Sequence, residues 1–230
     1  MRLYYIRHGE PVYQPNILTP LGERQAEAVA KMLIHCNIGE IYASTSQRAI
    51  DTAKPTADIL RKEIETFDFC SDDVAWKDFC VQVDGRNIWL WSEPEMRKIM
   101  SSPEVLALGQ KWYEHPALAG FKASMDKAQA DCAGFMSKLG YDKIDGAGQY
   151  VVREKKDHNV ALFAHGGYSK VFLSAILDSP FPIASLCFDM CHSGVTMIEF
   201  AEEGGISIPK VLMHSADSHI YKEGLVTYYC

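Results

Sequence analysis

The sequence predicts an α/β fold, a three-layer α/β/α domain with a mostly parallel sheet and an aromatic-rich insertion over the sheet's carboxyl edge. Three observations predict it. Apolar strand patterns alternate with helical ones over most of the chain. Separate strand ends deliver histidine or arginine to what would be one edge of the sheet. The stretch 70–150 breaks the alternation, and all four tryptophans, at 76, 89, 91 and 112, fall inside it.

Leu3–Ile6 is an apolar run of strand length. Thr19-Pro20 starts a helix well, with threonine as cap and proline at the first helical position. Ala26, Val29, Ala30, Leu33 and Ile34 then recur at helical spacing, which makes 20–35 an amphipathic helix. Ile41–Ala43 is a short strand, and Ser46 stands where it can cap a second helix reaching Arg61. Pro55 should kink that helix rather than end it, because Ala57, Ile59 and Leu60 keep the apolar rhythm. Ile64–Phe67 reads as a strand, 121–139 as a long helix, and 158–178 as strand then helix. Strands near 186–190 and 194–200 are expected as a hairpin or neighbouring pair, with Lys210–Met213 the last strand. The chain is read as a single domain, 1–230, with 70–150 as an insertion or cap. Its tryptophans either form that segment's own small core or wall a substrate pocket.

At 230 residues there is enough chain for one substantial core, and 47% hydrophobic residues is ordinary for a globular protein. A net charge of −7 argues against general nucleic-acid binding, which needs a basic footprint. No apolar run approaches a membrane span, and the amino terminus runs straight into a strand pattern without a leader. Cysteines at 36, 70, 80, 132, 187, 191 and 230 are scattered and form no CxxC. Buried, reduced thiols of a cytoplasmic protein are expected.

The chemistry concentrates at strand ends. Leu3-Tyr4-Tyr5-Ile6-Arg7-His8-Gly9-Glu10 and Val160-Ala161-Leu162-Phe163-Ala164-His165-Gly166-Gly167 repeat one design, an apolar strand ending in histidine and glycine. Ligands of open α/β sheets gather outside the carboxyl ends of strands, so both histidines are delivered to a binding edge. Glycine after each would let the backbone turn sharply and approach a ligand. Ile41-Tyr42-Ala43 leads in the same way to Ser46-Gln47-Arg48, which puts Arg48 in the first turn of a helix that already favours an anion. His8, His165, Arg7 and Arg48 together point to a phosphate-handling catalytic site.

With these motifs the chain resembles the histidine phosphatase superfamily, the phosphoglycerate-mutase-like proteins. The resemblance rests on Arg7-His8-Gly9-Glu10, on Leu18-Thr19-Pro20-Leu21-Gly22 leading to Gln25-Ala26, on Ser46 through Arg48-Ala49 to Thr52-Ala53, and on Ala164-His165-Gly166-Gly167. It implies that His8 is the nucleophile and becomes a phosphohistidine, and that Arg7, Arg48 and His165, with Gly166, surround the phosphoryl group. Neutral imidazole is a good nucleophile near neutral pH, and guanidinium forks match phosphoryl oxygens. The arginines supply the charge, so neither a metal nor another cofactor is expected. His192, His214 and His219 lack a ligand spacing, although His219 could reach the rim of the site.

Relatives place an acidic residue in a loop after the second helix and its strand. Here that loop reads Phe69-Cys70-Ser71-Asp72-Asp73-Val74-Ala75-Trp76-Lys77-Asp78, where Cys70 in the apolar slot favours Asp72 as general acid and leaves Asp73 and Asp78 open. Glu10 fits the partner of an arginine better than a catalyst. The loop Pro11–Leu18 is short, with Gln14 or Asn16 as its one possible substrate contact, and it lacks the mutases' longer segment. The resemblance therefore favours a phosphomonoester hydrolase acting on a small phosphorylated metabolite and releasing inorganic phosphate. A phosphoglycerate-type mutase and a non-catalytic phospho-ligand binder are the alternatives. No nucleic-acid or membrane partner is expected.

Overall fold

A computed structural model describes residues 1–144 and 148–227. Its middle layer is a six-stranded sheet made of β1 (Arg2–Arg7), β2 (Ile38–Ser44), β3 (Ile64–Phe67), β4 (Asn159–Ala164), β5 (Val195–Glu199) and β6 (Lys210–Ala216). Across the sheet the order is β6-β5-β1-β4-β2-β3. The pairs β1–β4, β4–β2 and β2–β3 are parallel, and β5 runs antiparallel between β1 and β6.

Strand β1 shows why the sheet is covered on both sides. Leu3 and Tyr5 join one core cluster while Tyr4 and Ile6 join another, and all four are buried. Strand side chains alternate between faces, so an unbroken apolar run needs an apolar layer on each. In β4, Val160, Leu162 and Ala164 face the first cluster, and Ala161 and Phe163 the second. One cover comes from α1 (Pro20–Leu33) and α2 (Gln47–Leu60), whose Val29, Leu33, Ala53 and Ala57 fill the second cluster. The other comes from α4 (Lys122–Lys138) and α5 (Gly166–Leu177), which pack together through Phe135, Met136 and Phe172 of the first.

Helix α1 begins as the sequence predicts: the Thr19 side chain accepts from the Gly22 N–H at 3.0 Å, and Pro20 follows. Helix α2 runs on through Pro55 and ends at Arg61, whose backbone is left-handed. Ser46 sits at its cap position but makes no cap bond; its hydroxyl accepts instead from the Asn16 amide at 2.9 Å. Between β3 and α4 lie α3 (Asp72–Asp78), a hairpin of Cys80–Val83 with Arg86–Trp89, and short helical turns. Tyr141–Ile144 and Gln149–Val152 form a second small sheet with 202–203 and 206–207, which the sequence patterns did not reveal.

The strand expected near 186–190 is absent. Phe181–Cys187 forms a helix, α6, started by the prolines flanking Phe181, and 188–194 is loop. The alternation of Cys187-Phe188-Asp189-Met190 mimics a strand, but its carbonyls serve side chains instead. Lys170 reaches Phe188 at 2.5 Å, His214 reaches Asp189 at 2.9 Å, and Arg7 reaches Met190 at 2.5 Å. Cys36, Cys70, Cys80, Cys132, Cys187 and Cys191 are free, though Cys187 is exposed and Cys36 and Cys80 half-buried, against the expectation of burial; Cys230 lies outside the described residues. Among the described residues no helix is long and apolar enough to cross a membrane.

Candidate active site

Three neighbouring parallel strands bring the predicted cations together. β1 ends at Arg7 and His8, β4 beside it ends at His165, and β2 beside β4 leads through Ser44 to Arg48 at the start of α2. The His8 N–H donates to the Ala164 carbonyl at 2.9 Å, locking the first two ends side by side. Residues more than a hundred positions apart in sequence thus meet at ring-centroid distances of 5.1 Å for His8–His165 and 5.8 Å for His8–His192. His8, His165, Arg7 and Arg48 are all buried.

Each group is oriented by a different neighbour. His8 Nδ1–H donates to the Gly9 carbonyl at 2.7 Å, which leaves the lone pair on Nε2. Arg7 donates to the Met190 carbonyl at 2.5 Å and, through Nη2, to His192 Nε2 at 2.9 Å. Arg48 donates to Asn16 Oδ1 at 2.8 Å and Asp72 Oδ2 at 3.3 Å, and it lies 3.1 Å from His165 Nδ1, which is itself 3.3 Å from Asp72 Oδ2. His165 Nε2 pairs with the Ser44 hydroxyl at 2.6 Å. The Nε atoms of both arginines and Oδ1 of Asp72 are buried with no hydrogen-bond partner. Buried polar atoms are rarely left so, and two of these three are guanidinium donors, which suit an anion.

Charge crowding sets the protonation states. Burial, then the charges of His165, Arg7 and Arg48, hold the His8 pKa well below that of a free histidine, so its imidazole is neutral. Burial and Arg7 push His192 down to about 3, consistent with its Nε2 acting as acceptor. For Asp72, burial would raise the pKa, but His165, Arg48 and Arg7 outweigh it and leave the carboxyl below its usual value. Asp72 is therefore a carboxylate before any ligand arrives.

Of the three candidate acids, only Asp72 reaches this cluster. It opens α3, whose first turn Ser71 caps by accepting from the Asp73 N–H at 3.3 Å. Asp73 is exposed, and Asp78 pairs with Lys127 at 3.2 Å. Glu10 lies apart from the arginines, accepting from the Thr19 hydroxyl at 2.8 Å. Asn16, offered by the short loop as a substrate contact, instead accepts a hydrogen bond from Arg48 at 2.8 Å. Gly166 is needed for close approach rather than for a turn, because a Cβ there would stand 3.0 Å from Arg7 Nε. The same holds for Gly9, where a Cβ would meet the Gly22 carbonyl at 2.6 Å.

His192 is the site residue that sequence reasoning missed. It sits in the loop before β5, where no apolar run announces it. His219 does not reach the cleft but supports this loop, pairing through Nε2 with the Ser193 carbonyl at 3.0 Å. The cleft above the cluster measures about 420 Å³ and is lined by Tyr13, Trp89 and Trp91 among others. Trp89 and Trp91 stack at 4.5 Å, Trp76 meets Trp89 edge-on at 4.6 Å, and Trp112 is buried in the core. One ligand atom each of His8, Asp72 and His165 lie within 4.8 Å of one another, a spacing a metal ion could also use. Arg48 hydrogen-bonds two of those three, which sets a fixed positive charge against such an ion.

Residues 3–69 match the profile of the histidine phosphatase superfamily, branch 1. The fold as a whole is similar to a phosphoserine phosphatase mutant from Entamoeba histolytica solved with phosphoserine, at 17% identity and a TM-score of 0.61, covering 95% of this chain and 98% of that one. It is likewise similar to a mycobacterial glucosyl-3-phosphoglycerate phosphatase, at 20% identity and a TM-score of 0.60, covering 94% and 98%. The profile covers under a third of the chain, while the likeness of fold extends over nearly all of it. No curated protein matches it in sequence. At these identities the structural likeness speaks for the fold alone, and the chemistry rests on this chain's own residues.

Proposed function

We propose that this protein is a histidine phosphatase superfamily member and a phosphomonoester hydrolase that works through a phosphohistidine on His8. One observation carries the reading: a buried, neutral His8 whose Nε2 lone pair is free, set among Arg7, Arg48, His165 and Asp72. His8 Nε2 attacks phosphorus as the P–O ester bond breaks, and Asp72 protonates the departing alkoxide. Water, deprotonated by the Asp72 carboxylate, then cleaves the N–P bond and releases inorganic phosphate. Arg7 and Arg48 balance the charge spread over the equatorial oxygens.

Asp72 must be protonated for the first step, yet His165, Arg48 and Arg7 favour its ionised form. The proton comes with the substrate. A phosphate monoanion carries it in, and the bound phosphoryl charge offsets the arginines that had depressed Asp72. This coupling favours an enzyme over a passive binder, which needs no carboxylate beside its anion.

The two similar structures named above are phosphatases of small phosphorylated metabolites, and the cleft volume suits the same substrate class here. Free cysteines fit a reducing, cytoplasmic setting. Within the segment 70–150, the stretch before α4 serves as cap, with Trp89 and Trp91 as a wall of the cleft, whereas α4 itself covers the sheet. The test is turnover of a phosphorylated-metabolite panel, scored by phosphate release, with rapid quench to trap an acid-labile, base-stable adduct on His8. An adduct on another residue type, or isomerisation of phosphoglycerate without phosphate release, overturns the hydrolase reading. Activity should survive exhaustive chelation; loss with EDTA and recovery with a divalent ion would mean that His8, Asp72 and His165 bind metal.

A further inference from the structure

Beyond the phosphoryl cluster, the cleft carries a second positive pair. Lys170, a little over one turn along α5 from Gly166, is buried and lines the cleft. Its ammonium donates to the Phe188 carbonyl at 2.5 Å and has one carboxylate nearby, that of exposed Asp189 at 3.4 Å. Arg97, exposed on the helix after the tryptophan pair, lines the same cleft and forms no ion pair among the described residues. In a chain of net charge −7, an unpaired arginine and a buried lysine facing one cavity are out of keeping with the average surface. Burying a lysine is costly unless it is paired, and burial already lowers its pKa. Neither residue is needed for the phosphoryl group, which Arg7 and Arg48 hold.

We propose that Arg97 and Lys170 form a subsite for an anion on the substrate's leaving half, so that the preferred substrate is a phosphomonoester whose alcohol also bears a carboxylate or a second phosphate. The inference rests on the phosphatase reading above and adds its specificity. Asp189 then acts as a stand-in counterion that the substrate's second anion displaces from Lys170. Trp89 and Trp91 line the same cleft, whose acids are Asp72 beside the phosphoryl cluster and Asp189 beside Lys170. The hydrogen bond from Lys170 to Phe188 gives it a second duty, holding the loop whose Met190 carbonyl orients Arg7. A purely structural lysine would affect all substrates alike, whereas a subsite discriminates among them.

The test compares three probes: glycerol 3-phosphate, whose leaving half is neutral, 3-phosphoglycerate, and propane-1,3-diol bisphosphate. Phosphate release gives kcat/KM for the native protein, and calorimetry on His8→Ala gives affinity without turnover. At least one two-anion probe is expected to exceed glycerol 3-phosphate by about tenfold or more, the scale of one charged hydrogen bond. Which one exceeds it tells carboxylate from phosphate. Arg97→Gln and Lys170→Met should each shrink that ratio, and Asp189→Asn should enlarge it. Equal kcat/KM for all three probes, or a ratio untouched by both cation variants, overturns the subsite while leaving the hydrolase intact. If no probe is hydrolysed but the same ranking and the same Arg97 dependence appear in binding, the subsite stands and the hydrolase reading falls. If nothing is hydrolysed and nothing binds, both fall.

Discussion

Gly166 and Asp72 make opposite demands on the site, one for empty space and one for a transferable proton. A methyl group at Gly166 would press on the Arg7 guanidinium at 3.0 Å from Nε, and that arginine is tied through Nη1 to the Met190 carbonyl. Gly166→Ala is therefore expected to cost roughly tenfold or more in kcat, as misplacing a charge-stabilising donor does, with the melting temperature nearly unchanged. For Asp72 the leaving group decides. Nitrophenolate departs unaided, whereas an alkoxide needs a proton, and general acid catalysis is worth about 10² to 10⁴ in rate. Asp72→Asn should lose most of that factor on an alkyl phosphate and little on p-nitrophenyl phosphate, while Asp73→Asn and Asp78→Asn show no such difference. If the site's one proton arrives with the substrate, kcat/KM on alkyl phosphates should fall as pH rises above the monoester's second ionisation, near pH 6. A profile flat from pH 6 to 8 would show that Asp72 holds its own proton.

At the scale of elements, residues that end strands were legible and residues that end nothing were not. Arg7, His8 and His165 follow apolar runs, and Arg48 opens a periodic helix, so pattern alone delivers them to one edge. Asp72 was legible only within a choice of three, because the first turn of α3 and its exposed continuation look alike until the chain folds. His192 and the loop 188–194 stayed hidden for a physical reason: the carbonyls of 188–190 accept from side chains of α5, β1 and β6, the Ser193 N–H donates to the His8 carbonyl, and no local periodicity records such bonds. The tryptophans divide in the same way. Trp112 is almost wholly buried, at 1% exposure, beside Phe181 at 5.0 Å. Its replacement by alanine should destabilise the protein by about 3–5 kcal/mol without reordering substrates. Trp89 walls the cleft, so Trp89→Ala should change the ranking of kcat/KM values across a substrate panel. Reordering by Trp112→Ala alone would mean that the cap's core, and not its wall, sets specificity.

Over the whole molecule, the price of this site is acid sensitivity. Four histidines, His8, His192, His214 and His219, have pKa values lowered in the fold, each chiefly by burial. Unfolding frees them to take protons near the ordinary histidine value of about 6.5. A group depressed in the folded state lends stability above its unfolded pKa and loses it as pH falls toward the folded one. Stability should therefore drop steadily below about pH 6.5, at up to about 1.4 kcal/mol per pH unit for each proton taken up only on unfolding. Asp72, depressed in the same direction, adds a further loss once pH falls below the ordinary carboxylate range. The measurement is urea unfolding from pH 7.5 to 5, where the midpoint should move steadily downward. Inorganic phosphate should oppose the trend, since an anion held by Arg7 and Arg48 binds only the folded chain and stabilises it by mass action. It should also make His8 easier to protonate, so its protection should grow as the pH falls. His192→Gln removes one of the four titrating groups and should flatten the slope by about one proton. A midpoint that stays level to pH 5, or a slope that His192→Gln leaves unchanged, would mean that these histidines are not held neutral by the fold.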